Sequence, residues 1–402
     1  MDKVIRLSLF LAITSTLVSV FLSGVFLGCA TLAWAWQCFS RRRLSFDWPR
    51  YFPFVLAFVV AALVAIVFSE DAVESARYTK KFVHFFAIAL VFTYFDRPSV
   101  TRTSKAIFLI AGCSAAVAVF QYFVLHKVEL LDRATGLMSH WMTLSGQLMI
   151  VSVVLAAYVI SLFPPRISLR RLKMPGGTPW LWLALLALLL FALLLTMTRS
   201  AWVGAILGLI LVASVRNYRL VLLAVGLVAL VWLTLPGRFN DRIKSSFDPE
   251  DTTNRVRVEL LRTGVNFIRS HPYTGVGPRM VSRMFPDYRV TREFPDWAYQ
   301  HLHNNAVQIA AEMGLLGLAA WLGIWLKLAW DLVSFLRMAR EKGDRLLLAS
   351  TVGGLGSLLA FLAAGLFEYN FGDSELLFLF LFVVTTPYIC ARSTEVERKA
   401  MG

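Results

Sequence analysis

Apolar runs of about 20 residues recur from one end of this chain to the other, and about 20 mostly apolar residues are what a helix needs to cross a bilayer. They lie near 51–68, 81–95, 105–125, 141–163, 180–198, 200–215, 219–235, 306–335, 345–367 and 374–391. A longer run, Val4 to Phe39, is too long for one helix and is expected to turn near Ser23-Gly24. Of the 402 residues, 58% are hydrophobic and only 16% charged. A soluble chain of this length carries more charge than that. The expected fold is all-α: a polytopic membrane helix bundle of about twelve spans.

Basic residues in short loops set the orientation of such a bundle. With the N-terminus inside, the inside segments hold Arg41, Arg42, Arg43 and Arg50; Arg97, Arg102 and Lys105; Arg166, Arg170, Arg171 and Lys173; Arg216 and Arg219; Arg337, Arg340, Lys342 and Arg345; and Arg392, Arg398 and Lys399. The short outer loops differ: Ser69 to Lys80 carries Glu70, Asp71 and Glu74, and Glu368 to Glu375 carries no base. Both termini are expected in the cytoplasm. The net charge of +15 then belongs to cytoplasmic loops. No soluble basic domain points to nucleic acid. Cys29, Cys38, Cys113 and Cys390 fall in or beside apolar runs, with neither metal spacing nor a disulfide framework. The N-terminal run lacks a cleavage site followed by a soluble domain, so a retained first helix is expected.

One long polar segment, Pro236 to Asn305, breaks the pattern and falls outside by the same count; loops this long translocate largely regardless of charge. It divides the chain into spans at 1–235, a periplasmic loop domain at 236–305, and spans with a cytoplasmic tail at 306–402. The loop holds ten Arg and one Lys against eight acids. Arg grips phosphate with a planar fork where Lys is a point charge; the bland alternative is a solvated loop whose Arg pair with its acids. Thr253-Asn254 can cap a helix running through Arg269. Val258, Leu261, Val265 and Ile268 would form its apolar stripe, with Arg255, Arg262, Asn266 and Arg269 opposite. His271-Pro272 ends it, and Gly275 and Gly277 permit tight turns.

The loop closes on His301-Leu302-His303-Asn304-Asn305, where polar and apolar segments meet. A neutral histidine is the natural general base near neutral pH. The competing reading of His303 is a helix-start residue satisfied by backbone or Asn304. Two histidines two apart point to different sides of a helix, and no Asp-x-Asp or His-Glu-x-x-His motif is present, so no metal and no other cofactor is expected. Arg199 is the only charge between two apolar runs. An ionisable residue at that depth is a functional candidate, or a snorkelling side chain marking a hairpin. Glu312 follows on the first turns after His303, and Glu368 opens the next outer hairpin.

These pieces, in this order, resemble the superfamily of O-antigen ligases, O-antigen polymerases and bacterial protein O-oligosaccharyltransferases. Thr198-Arg199-Ser200-Ala201-Trp202 resembles its Ser-Arg-Gly-Ala-Trp-like motif. Arg257-Val258-Glu259 resembles its Arg-x-Glu, and Pro272 to Gly277 its Pro-x-x-Gly-x-Gly turn. His303-Asn304-Asn305 through Glu312 to Gly317 resembles its most telling block. Leu261 stands where many relatives have Trp, and Ser200 where Gly is common, which bears on fine placement.

The resemblance implies that His303 is the base and that Arg199 and Arg257 bind the donor's diphosphate. His301, Asn304, Glu312, Arg255, Arg279 and Glu368 are possible supporting residues. The oligosaccharyltransferases carry a larger C-terminal periplasmic part than this sequence has after its last span. The position of the large loop before the His-Asn block favours a ligase: a glycosyltransferase of the bacterial inner membrane that moves O-antigen from undecaprenyl diphosphate to lipid A–core. A polymerase, with a lipid-linked glycan as acceptor, is the nearest alternative. A carrier of lipid-linked sugars is the alternative from another class; the internal repeats common in transporters are not found.

Overall fold

The computed structural model describes residues 1–43, 46–129, 132–162, 178–216, 221, 222, 226, 237–291, 293 and 300–401. The helices are α1 (Asp2–Ser15), α2 (Val20–Arg41), α3 (Phe52–Val67), α4 (Ala72–Ala76), α5 (Phe82–Tyr94), α6 (Arg97–Phe123), α7 (Trp141–Leu162), α8 (Thr178–Leu195), α9 (Arg199–Arg216), α10 (Gly237–Lys244), α11 (Thr252–Ser270), α12 (Val281–Tyr288), α13 (Asn305–Lys342), α14 (Arg345–Ala364) and α15 (Ser374–Met401). A 3₁₀ turn, Arg77–Lys81, joins α4 to α5, and another, Asn370–Gly372, precedes α15. Among the described residues there is no strand. Among the described residues, six helices (α2, α6, α7, α13, α14 and α15) are long and apolar enough to cross a membrane, and three shorter apolar ones are α3, α8 and α9. The expected span at 219–235, apart from residues 221, 222 and 226, the basic residues Arg166, Arg170, Arg171 and Lys173, and Arg292 lie outside the described residues.

Bundle packing uses small residues where helices meet, since lipid offers no hydrophobic drive between them. A Cβ on Gly208 of α9 would fall 2.9 Å from the carbonyl oxygen of Gly356 on α14. The backbones touch there because neither residue has a side chain. α7 and α15 run through the middle and are mostly buried, whereas α2 is peripheral.

Polar contacts between connections sort into two ends. At one end Arg6 donates to Asp96 at 2.7 Å, Arg97 to Asp344 at 2.5 Å, and Arg340 to the Val215 carbonyl at 2.9 Å. At the other, Lys81 donates to the Gly372 carbonyl at 2.8 Å, Thr143 to Asp373 at 2.6 Å, and Gln147 to the Thr16 carbonyl at 2.9 Å. The chain leaves α9 at the first end and resumes at Gly237 at the second, where the polar segment packs.

Two local expectations are corrected. The first apolar run turns at Thr16–Ser19, not at Ser23-Gly24. Ser19 is extended and caps α2 by accepting from the Leu22 amide, while Ser23 is buried and donates to the Ala12 carbonyl at 2.8 Å. Ser23 thus holds two helices together instead of breaking one. In α11 the cap is Asp251 rather than Thr253-Asn254. Its buried face is Leu260, Thr263, Gly264 and Phe267 with Glu259, while Val258, Leu261 and Val265 of the expected stripe are exposed. The helix seats on small residues: a Cβ on Gly264 would lie 2.3 Å from a Val307 methyl carbon. Leu260, Phe267, Val276, Met280, Met284 and Leu302 form a second, separate core beneath the polar segment.

Candidate functional site: a histidine–glutamate junction beside an arginine cluster

His301 and His303 precede α13 in non-helical backbone, so the helical argument that separates them does not apply. His303 has φ +48, a left-handed conformation that costs a non-glycine residue about 1–3 kcal/mol. The two rings meet with centroids 4.1 Å apart, and both face Glu368. His303 Nδ1 lies 3.1 Å from one Glu368 oxygen and His301 Nε2 lies 3.6 Å from the other. The first is a hydrogen bond; the second is too long for one. With a proton on His303 Nδ1 donating to the carboxylate, Nε2 carries the lone pair.

The two asparagines of the block hold Glu368 in place. Asn304 caps α13 by accepting from the Val307 amide at 3.0 Å and donates to the Leu366 carbonyl at 3.0 Å. Asn305, fully buried, donates to Asn370 at 2.5 Å and accepts from the Phe371 amide at 3.1 Å, while its own amide donates to the Gly365 carbonyl at 2.8 Å. The motif therefore ties the start of α13 to the hairpin that carries the carboxylate, 65 residues away.

Electrostatics follow from this packing. Burial pushes the His301 imidazole down to about 4, His303 adds to the effect, and Glu368 opposes it. Burial would raise the Glu368 carboxyl, but the hydrogen bond and charge of His303, with His301 behind it, hold it below its usual range.

The glycine turn and the kink in α13 are made for each other. α13 breaks at Gly314, with φ 64 and ψ −168. The turn at 272–277 docks into the break: Val276 donates to the Ala311 carbonyl at 3.0 Å, Gly277 to Glu312 at 2.9 Å, and Leu315 to Pro272 at 2.8 Å. A Cβ on Gly275 would lie 2.3 Å from Glu312 backbone, and one on Gly314 2.1 Å from the Tyr273 oxygen. Both also have positive φ, so only glycine serves at either position. The Glu312 carboxylate accepts from the Arg279 amide at 2.9 Å and the Gln308 amide group at 2.9 Å, and Gln308 accepts from the Leu302 amide at 2.7 Å. Glu312 thus fixes the turn and the histidine segment together.

A cluster of arginines lies on the same end. Arg199 is 8% exposed and donates to Ser245 at 3.2 Å, Ser246 at 3.3 Å and Asn254 at 3.4 Å, with Asp251 at 3.6 Å. It docks the start of α11 onto the α8–α9 turn. Arg257, one turn into α11, is held below its usual value by burial first; Glu368 offsets this, and Arg199 adds to it. Arg242 donates to the Met197 carbonyl at 3.5 Å, and Arg133 to the Thr196 and Met197 carbonyls at 3.4 Å. Both are pushed down to about 10, by burial first and then by their arginine neighbours. Four cations gathered in this way repel one another, and an anion placed among them relieves that repulsion.

Sequence reasoning did not select Arg133 or Arg242. Arg133 sits in a short loop between spans beside Lys127, Glu129 and Asp132, so its sequence carries no signal that sets it apart from a solvated loop residue. The supporting arginines fall elsewhere: Arg255 pairs with Glu293, and Arg279 with Glu74 at 3.0 Å. The Glu259 of Arg-x-Glu is buried and accepts from the Val290 and Thr291 amides at 2.9 and 2.8 Å, so it fastens the far part of the polar segment.

A cavity of about 1110 Å³ opens on the His301 side of Glu368; Lys81, Arg279, Glu312 and Tyr369 line it with those two residues. His303, Arg199 and Arg257 do not line it. Among the described residues, His301, His303 and Glu368 each offer a ligand atom within 4.8 Å of the others and form a group that could hold a metal ion.

No curated protein matches the chain. The family model described as O-Antigen ligase matches residues 184–322. That segment contains Arg199, Arg242, Arg257, the glycine turn, both histidines and Glu312; Arg133 and Glu368 lie on either side of it. Over residues 184–322 this chain is similar to the O-antigen ligase family.

Proposed function

We propose that this protein is a metal-independent, inverting glycosyltransferase that moves O-antigen polysaccharide from undecaprenyl diphosphate to lipid A–core. It would sit in the bacterial inner membrane with both termini in the cytoplasm and its site at the periplasmic end. The family match supports the reaction class. The observation that carries the residue roles is Glu368, whose carboxylate binds His303 and is close enough to Arg257 for each charge to act on the other.

The acceptor hydroxyl attacks the anomeric carbon as the bond from that carbon to diphosphate oxygen breaks. His303 Nε2 takes the hydroxyl proton, and Glu368 stabilises the imidazolium that results. Undecaprenyl diphosphate departs with the bond's electrons, its charge met by Arg199 and Arg257, with Arg133 and Arg242 behind them. Direct displacement inverts the anomeric centre and needs no covalent enzyme intermediate.

Reconstitution with lipid-diphosphate glycan and purified lipid A–core tests this reading. Capped lipid A–core should form. Growth of the lipid-linked glycan alone would make the protein a polymerase, and movement of the donor without any product would make it a carrier.

A further inference from the structure

We propose that His301, His303 and Glu368 form a binding site for a borderline divalent transition-metal cation, zinc above all, and that occupancy of this site switches transfer off. Two imidazole nitrogens and a carboxylate are a donor set that suits zinc, with a fourth position left for water. Magnesium and calcium prefer oxygen donors. The spacing fits as well. Zinc bonds of about 2.0–2.1 Å give a tetrahedron with edges of about 3.3 Å. His303 Nδ1 lies 3.1 Å from one Glu368 oxygen, close to that edge, His301 Nε2 lies 3.6 Å from the other oxygen, and the three ligand atoms lie within 4.8 Å of one another.

The ligands are also held before any cation arrives. The left-handed backbone at His303 turns its ring against that of His301. Asn304 and Asn305 fix the Glu368 hairpin. The Tyr369 amide donates to Glu368 at 3.1 Å and orients the carboxylate from behind. His301 and Glu368 both line the large cavity, which supplies a route in and room for the fourth ligand.

The consequence for activity rests on the reading of His303 as base. A cation on Nδ1 takes up the lone pair of that nitrogen, so the neutral ring's single proton moves from Nδ1 to Nε2. Nε2 is the nitrogen that has to accept the acceptor's proton, so the metal-bound ring can no longer do so.

The test uses the full chain in detergent, stripped with chelator and desalted. Cobalt(II) absorption and zinc calorimetry read binding, and the transfer assay reads activity. One saturable zinc site per chain is expected, not competed by excess magnesium. His301→Gln and Glu368→Gln should each weaken it by at least the ~10–100-fold that losing an outer-shell partner costs, in variants whose unfolding curves show that they are folded. Inhibition of transfer should follow the binding curve and reverse with chelator. Absence of saturable binding, or binding unaffected by both variants, overturns the site. Saturable binding with undiminished or increased transfer upholds the site and overturns His303 as the free base.

Discussion

Glu368 receives a hydrogen bond from His303 at 3.1 Å across 65 residues of chain. Neither residue makes this pair alone: Asn304 and Asn305, beside the histidine, bind the hairpin that presents the carboxylate. The short His-Asn-Asn block thus carries the proposed base together with its own alignment device. The same economy holds for the glycine turn, whose partner is the kink at Gly314.

Arg257→Lys should lower kcat/KM by about 10²-fold, since an ammonium cannot supply the fork that meets diphosphate oxygens. Steady-state kinetics with varied donor check this. Wild-type turnover in that variant would shift the clamp to Arg133, Arg199 and Arg242.

Asn305→Ala should destabilise the protein by about 1–3 kcal/mol, because the Phe371 amide and the Asn370 side chain lose a buried partner. Thermal unfolding in detergent measures it. Transfer should fall together with stability, as the Glu368 hairpin loosens. An unchanged melting curve would show that the hairpin is held by other contacts.

The half-buried His301 sets a pH dependence of stability. Its imidazole titrates at about 4 in the folded chain against an ordinary 6.5. Between these values the unfolded chain binds the extra proton, so stability falls as pH drops from 6.5 towards 4 and levels off below. Glu368 acts in the same direction at lower pH: its lowered value contributes stability at neutral pH that is lost only as pH falls through that lowered value. Unfolding midpoints across this range should therefore flatten between pH 6.5 and 4 in His301→Gln. An unchanged slope in that variant would assign the dependence to another group.

Orientation is checked by single cysteines in a background lacking Cys29, Cys38, Cys113 and Cys390. Ser245 accepts from Arg199, so the exposed Phe247 is the better probe of the polar segment. An impermeant reagent applied from the periplasm should label a cysteine at Phe247 and miss one at Lys342. The reverse pattern would invert the topology and put the proposed site in the cytoplasm.

The spans were legible because an apolar run of sufficient length announces itself whatever surrounds it: α6, α7, α13, α14 and α15 fall where the runs do. The turn in the first run was not, since Ser23 has the chemistry of a turn residue but spends its hydroxyl on the Ala12 carbonyl. The buried face of α11 was hidden for a related reason. Periodicity favours large apolar residues, whereas this face uses Thr263 and Gly264 to come close to α13. At the site, the segment 301–305 was conspicuous but its geometry was not. No spacing rule places His301 and His303 together once the backbone leaves the helix, and none brings Glu368 to them from the next hairpin. Arg133 escaped because a single arginine in a short loop has the same local sequence whether it is solvated or, as here, buried beside Arg199 and Arg242.

The most direct measurement of the account is transfer by His303→Ala in the reconstituted system, with chelator present and the anomeric configuration of the wild-type product read by NMR. Loss of the base should lower the rate by about 10²–10⁴-fold while donor binding persists through the arginines. His301→Ala should be milder, and the wild-type product should be inverted. Normal transfer by His303→Ala, or a product that retains configuration, would contradict the mechanism.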